Sequence, residues 1–450
     1  MAVPVDAKDA YLSEYAAFAK DLDPREPAWL RTARDAAIAR FKETGFPPPK
    51  HEEWKYTNLG PLLRVPFRTS GAEALDGVLA EHLEPLGFGV LKTSLLTFVN
   101  GRFAPRLSYV RYLPRRVRIM SLAEAIEDDP GALEPHLGRY SPPDGNPFVA
   151  LNAAFMTDGA FIEVPSRTEV EEPIHLLFIH SRTEAPHVSH PRNLIVLGEA
   201  SRASVIETYA GGASEEYLTN AVTEVSVGAA ASLDHYKMQR EGDRGYHMGT
   251  MAVRQARDSQ AACHSFSFGG LLVRNVVHTL FQGEGGDLRL NGLSMTSGAQ
   301  QADNYTRIDH ATPSCTSIEL YKGILNDRSR GVFNGNIFVR KEAQKTNARQ
   351  TNKNLLLSQE AWVDSTPGLE ILADDVKCNH ASTIGQLDEN AVFYLRTRGI
   401  DEEAAKNLLT YAFASDVVNQ VRHAPIRIKL YQLVLARLPR GASLTERVAG

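Results

Sequence analysis

The chain has 450 residues, of which 43% are hydrophobic, 23% charged and 8% aromatic, a balance that excludes global disorder and a collagen-like fibre. Its formal net charge of −5 does not mark a nucleic-acid binder, and no run of about 18 apolar residues offers a membrane span. At about 100–200 residues per domain, this length suggests two to four domains.

The opening, MAVPVDAKDAYLSEY, has no basic stretch followed by an apolar one, so no secretory signal is expected. Tyr11, Tyr15 and Phe18 recur at helical spacing. A second helix is predicted over residues 26–43, with Trp29, Ala33, Ala37 and Phe41 on one side and the prolines at 47–49 closing it. A third, short helix is predicted over 72–83, with Leu75, Val78, Leu79 and Leu83 as its apolar positions. Residues 90–145 are mixed and turn-rich.

From about 147 to 396 the pattern changes. Short β-type runs such as FIEVP, IHLLFIH, NLIVLG, ASVIETY, GVFNGNIFV, LEIL and VFYL are separated by Gly, Asn, Asp and Ser, residues that make turns by tolerating positive φ or bonding their own backbone. About 250 residues of this material exceed one small sandwich; a solenoid, a propeller or a large barrel would each hold it. No propeller repeat signature occurs. Asn326, Asn334, Asn336, Asn347, Asn352 and Asn354 lie beside strand ends, where amides can bond along a stack of rungs. A solenoid is therefore favoured. After Gly399 helical periodicity returns. Asp401 can cap a helix whose stripe holds Ala405, Leu408, Leu409, Ala412, Phe413, Val417 and Val421, and a second helix follows over 425–438. The expected division is a mostly helical region over 1–146, a β-helix core over 147–396 and a helical region over 397–450.

Three cysteines, Cys263, Cys315 and Cys378, stand 52 and 63 residues apart. This rules out a disulfide framework, a zinc ribbon and a self-contained four-cysteine iron–sulfur site, and fits reduced thiols in a cytoplasm. The phosphate-loop pattern GxxxxGK[ST] is absent, as are HExxH and GxSxG. His180, His187 and His190 form a loose group better read as packing histidines than as ligands. Residues 322–353 carry eight basic residues against two acidic ones and read as a solvated face. The most informative segment is LEILADDVKCNHASTIGQLDEN. On a strand, Cys378 and His380 share one face, and thiolate with imidazole can ligate iron, zinc or a cluster. Asp374 and Asp375 just upstream add oxygen ligands or raise the basicity of the histidine. Two donors do not complete a site, so ordinary packing and a site shared with a partner both remain open on residue types alone.

The run DDVKCNHASTIGQLDENAVFYLRTRGI, followed by EEAAKNLLTYAFASDVV, strongly resembles the C-terminal signature of the SufB/SufD family of iron–sulfur cluster assembly scaffolds. NGNIFVRKEAQKTNARQTNKNLLLS and HPRNLIVLGEASRASVIETY also match, and EEWKYTNL looks like the SufD branch. The resemblance implies a mainly β chain: a right-handed parallel β-helix between N-terminal and C-terminal helical domains. It implies a scaffold subunit without turnover of its own, paired with a SufB-type paralogue and a SufC-type ABC ATPase. It places His380, and less strongly Cys378, at the paralogue interface. No cofactor is then expected to stay on the isolated chain, and iron or an iron–sulfur cluster would be held transiently in the complex. The ATPase would dock on the C-terminal helices through Leu408, Leu409, Phe413 and Val417, part of the same stripe covering the open end of the β-helix. An isolated chain is expected to form a homodimer through that open edge. Two alternatives stand beside this reading: a SufB-type primary scaffold taking sulfur on its own cysteines, and a β-helix polysaccharide lyase or hydrolase using Asp374 and Asp375. The second is disfavoured because adjacent strand residues face opposite sides.

Because no phosphate-cradling motif is present, the purified chain alone is expected neither to bind nor to hydrolyse ATP. A phosphate-release assay checks this, and nucleotide-dependent turnover by the single chain would overturn the scaffold expectation.

Overall fold

A computed structural model describes residues 5–48, 50–69, 81 and 83–439. The helix predicted over 72–83 lies outside the described residues except for Glu81 and Leu83. The core is a parallel β-solenoid of two facing sheets. In the first sheet Arg192–Leu197, Tyr217–Val227, Tyr246–Gln255, Leu272–Phe281, Gln301–His310, Arg330–Val339 and Trp362–Ile371 stack in that order. In the second, Ile174–His180, Arg202–Gly211, Ser232–Arg240, Gln260–Ser267, Asp287–Thr296, Thr316–Leu325, Asn347–Leu356 and Lys377–Gly385 do the same. The chain alternates between sheets, so one strand from each makes one rung. Leu218 pairs with Tyr246, Tyr246 with Leu272, Leu272 with Gln301, Gln301 with Arg330 and Arg330 with Trp362, giving rungs of 28, 26, 29, 29 and 32 residues.

The corners explain why so few glycines are needed to wind this coil. Arg167, Ala200, Ala230, Asp258, Gly285, Ser314 and Lys345 all have positive φ, between 53° and 75°. A non-glycine residue there costs about 1–2 kcal/mol. The cost is offset by position. Each of these N–H groups donates to a carbonyl on the following rung: Arg167 to Glu199, Ala200 to Ala229, Ala230 to Arg257, Asp258 to Glu284, Gly285 to Pro313, Ser314 to Gln344 and Lys345 to Asp375. The residue after the corner turns inward and is small: Ser201, Ala231, Ser259, Cys315 and Thr346 are all fully buried. Between the sheets apolar side chains align by register. Phe98, Phe178 and Tyr209 pair on three successive strands, and their rings stack at centroid separations of 4.8 Å each.

Several elements depart from the sequence reading. Strands enter both sheets before residue 147, at Ser94–Val99 and Arg118–Ser121. Residues 147–155 form a wholly buried helix, Pro147–Phe155, capped by the Asn146 side chain. The run VFYL belongs to the helix Glu389–Thr397, which Asp388 caps. In the helix Ala28–Thr44 the buried positions are Leu30, Arg34, Ala37 and Phe41, and Ala33 is exposed. The face is rotated because Arg34 is drawn inward by Glu26 (2.8 Å) and by the Ala154 carbonyl (2.8 Å). Nor does the C-terminal hairpin, Glu402–Val418 with Ala424–Ala436, close the solenoid's end. Ala414, Val417, Val418, Ile426, Leu430 and Val434 pack against the outer face of the second sheet, on Met238, Phe266, Leu293 and Ile324.

Since Phe178 is the middle ring of the stack, Phe178→Ala is expected to destabilise the chain by about 3–5 kcal/mol, read as a lowered denaturant midpoint. An unchanged midpoint would mean that the stack contributes no stability.

Candidate functional site

Among the described residues, the strand Lys377–Gly385 is the last of the second sheet and pairs only with Asn347–Leu356. Its opposite edge is open, and all but one of its residues are exposed. The corresponding strand of the first sheet, Trp362–Ile371, also ends its sheet and carries Pro367, a residue suited to an edge because it has no N–H to donate. Trp362 (61% exposed), Leu372, Phe393 and Tyr394 leave large apolar surfaces uncovered nearby. This end of the solenoid is thus an unpaired, partly apolar surface.

Cys378 and His380 sit on that strand with the spacing that puts them on one face. Cys378 pairs with Ala348 and packs partly against the inner core. Burial raises its thiol pKa, an effect larger than the lowering by a backbone hydrogen bond. His380 pairs with Gln350 and is exposed. Asp374 and Asp375 lie in the corner just before the strand; the Asp375 carboxylate is taken up by an ion pair with Lys345, and its backbone N–H donates to Gln344 Oε1. Among the described residues, no group of three or more His, Cys, Asp or Glu side chains is placed to hold a metal ion.

The remaining histidine and cysteine candidates are structural. His180 Nδ1 meets His187 Nε2 at 2.6 Å, and its Nε2 meets Ser189 at 3.1 Å and Thr219 at 2.9 Å. His187 Nδ1 meets Thr183 at 2.9 Å, so both nitrogens of both rings are occupied. His190 stacks on Phe155 at 5.2 Å and bonds Asn220. Desolvation holds all three below their ordinary pKa. Cys315 fills the small inward position of a corner, its thiol 3.4 Å from the Pro313 carbonyl. Cys263 faces inward beside Glu207, His235 and Lys237 around a space of about 20 Å³, room for about one water. Burial pushes its thiol up to about 12, which keeps it protonated and unreactive at neutral pH.

Comparison with known proteins then places the chain. The model of the SUF system FeS cluster assembly SufBD core domain matches residues 178–413, and that of the SufBD protein N-terminal region matches residues 5–176. The chain belongs to the SufBD family of iron–sulfur cluster assembly proteins. A SufBD family protein of Synechocystis is 32% identical over 421 residues, 92% of each chain. The Escherichia coli iron–sulfur cluster assembly protein SufD is 32% identical over 410 residues, 90% of this chain and 92% of the relative. The Bacillus subtilis SufD is 26% identical over 432 residues, 91% and 94% of the two chains.

In this SufBD chain the expected partner stripe on the hairpin splits in two. Val417 is fully buried against the chain's own second sheet, so its side chain faces no partner. Phe413 is half-buried, with the Lys322 ammonium 4.2 Å from its ring. Leu408 and Leu409 remain half-exposed. Lys322, expected on a solvated face, is instead a latch: its side chain is 2% exposed and bonds the Phe413 carbonyl at 2.8 Å and Asp416 at 2.5 Å.

Two further residues escaped the sequence reading. On the inner face of the second sheet, Cys263, Leu290, Glu319, Gln350 and His380 occupy one register position on successive rungs. Glu319 and Gln350 are fully buried, and Gln350 Nε2 donates to Glu319 Oε2 at 2.7 Å. The signal was their spacing of 31 and 30 residues, one rung each, but it means nothing until the rung length is known.

Burial raises the Glu319 carboxyl from 4.5 to about 7. The folded chain therefore holds a proton that the unfolded chain releases between those values. This contribution is complete below about pH 4.5 and is lost as pH rises through about 7, at up to about 1.4 kcal/mol per pH unit. Glu319→Gln, which does not ionise, is expected to flatten that component. Denaturant midpoints of both chains across this window check it; identical pH slopes would remove Glu319 as the source.

Proposed function

We propose that this chain is a scaffold subunit of the SufD kind, which pairs with a SufB-type paralogue, binds a SufC-type ATPase and supports assembly of nascent iron–sulfur clusters without turnover of its own. One observation carries the reading: the solenoid ends in an open, exposed strand bearing Cys378 and His380. A parallel edge with free N–H and C=O groups accepts another chain by strand addition. The same act would bring a partner's donors to His380, with Cys378 as the weaker neighbour, and complete a set that this chain leaves unfinished. Iron or a cluster is then cargo, held transiently by the assembled complex and not by the isolated chain. An isolated chain would cover the same edge with a second copy of itself. Membership of the SufBD family and the likeness to SufD proteins support this choice, and the buried Cys263 and Cys315 thiols argue against a chain that accepts sulfur on them.

The hairpin is the proposed ATPase surface, through Leu408, Leu409 and the exposed side of Phe413. It lies on the outer face of the second sheet, apart from the open edge, so both partners could be held at once. A short apolar cluster on one helix suits docking into a partner's groove.

The test uses the assembled complex of the three kinds of chain. His380→Ala is expected to assemble normally and to hold several-fold less iron after anaerobic loading. Leu408→Glu with Leu409→Glu is expected to lose the ATPase in a pull-down while keeping the paralogue. Full iron content in the first variant would remove His380 from the site, and retained ATPase in the second would move that interface elsewhere.

A further inference from the structure

We infer that Gln350 is a positioning residue for His380: its side-chain carbonyl accepts the N–H of one imidazole nitrogen and turns the other outward toward the metal. This rests on the reading of His380 as a ligand. It comes from an acceptor that the fold builds and leaves unused. Gln350 is fully buried, and its amide nitrogen is committed to Glu319 at 2.7 Å. That bond turns an amide N–H toward the Glu319 oxygen and leaves the carbonyl oxygen on the other side. The Oε1 atom has no hydrogen-bond partner among the described residues. An unpaired buried polar atom of this kind costs about 1–3 kcal/mol. The residue in register with Gln350 on the final strand is His380, one inter-strand spacing of about 4.8 Å away and on the same face.

The neighbouring column shows what completion looks like. Two residues along, Tyr321, Asn352 and Ser382 also share a register position. There Ser365 donates to Asn352 Oδ1 at 2.8 Å and meets Ser382 at 2.7 Å, so the polar column is bonded through to the final strand. The Glu319–Gln350 column stops one residue short. Room for Gln350 is also provided deliberately by the facing sheet, where a Cβ at Gly335 would lie 2.4 Å from Gln350 Nε2. Metal-bound histidines generally donate their second N–H to such an acceptor, which sets the tautomer and ring orientation. When a partner covers the final strand, the exposed imidazole is confined over this waiting oxygen.

The test titrates ferrous iron anaerobically into the assembled complex, with thermal melting of each variant as the folding control. Gln350→Met keeps the bulk and removes the acceptor. It is expected to weaken iron affinity about 10-fold or more, the usual consequence of losing such a partner, in a chain that still folds, any lowering of its melting temperature reporting the lost Glu319 bond. Gln350→Glu, which returns an acceptor oxygen to the same place, is expected to recover most of the affinity. Unchanged affinity in Gln350→Met alongside a loss in His380→Ala would overturn the positioning role and leave the ligand reading intact. Unchanged affinity in His380→Ala would overturn both. If Gln350→Met does not fold, Gln350→Asn replaces it, keeping the amide but shortening its reach; full affinity in that variant would overturn the inference.

Discussion

Every rung of this molecule depends on the rung beside it for its backbone hydrogen bonds. A parallel stack has no hairpins through which a strand could satisfy itself locally. Even along one line of corners the bonds run forward, with Arg167, Ala200, Ala230, Asp258, Gly285, Ser314 and Lys345 each donating to a carbonyl of the next turn. This reciprocity accounts for two features that otherwise look unrelated. It tolerates Ala, Asp, Ser and Lys where glycine would be easier, because a fixed partner waits at each corner. It also leaves the final rung with no successor, so the edge that holds Cys378 and His380 is open by construction.

The same geometry sorts the cysteines. A thiol at position 315 replaces the Ser, Ala or Thr found at equivalent corners and serves as a small buried filler. Cys263 lies within the interior column, where desolvation keeps its proton on. Cys378 stands where the interior runs out. Three residues of one type thus have three environments, decided by how many rungs lie beyond each of them.

The three-part order of helices, β-rich middle and helices was legible because periodicity changes at Gly399 and because β-type runs between turn residues are dense in the middle. Strands such as Ser232–Arg240, Gln260–Ser267 and Gln301–His310 were not. Their sequences, SLDHYKMQR, QAACHSFS and QADNYTRIDH, carry charged and polar side chains on inward positions, where an isolated strand would show apolar ones. They are strands because neighbouring rungs supply partners, as Glu207 does for His235 at 3.1 Å. The run VFYL failed for the opposite reason. Its apolar residues suit a strand, but the Asp388 cap starts a helix, and the solenoid has already ended. The Cys378–His380 pair could be read from spacing alone. The Gln350 acceptor could not, since it becomes a neighbour of His380 only through a 30-residue register. The hairpin misled because a wide apolar stripe reveals how much surface it will cover but not which surface. Lys322, reaching out from the sheet to Asp416 and the Phe413 carbonyl, decides that.

Rungs of 26–32 residues also set an order in time. During synthesis at about 5–20 residues per second, a new rung emerges roughly every 1.5–6 s. Each meets a completed edge that already presents the pairing groups it needs. Winding can therefore proceed from the amino-terminal end as the ribosome delivers chain, and each freshly exposed edge is covered by the following turn before it must wait long. Among the described residues, the strand carrying His380 is the last to be added, and it and Trp362–Ile371 each end a sheet with no later strand laid over them.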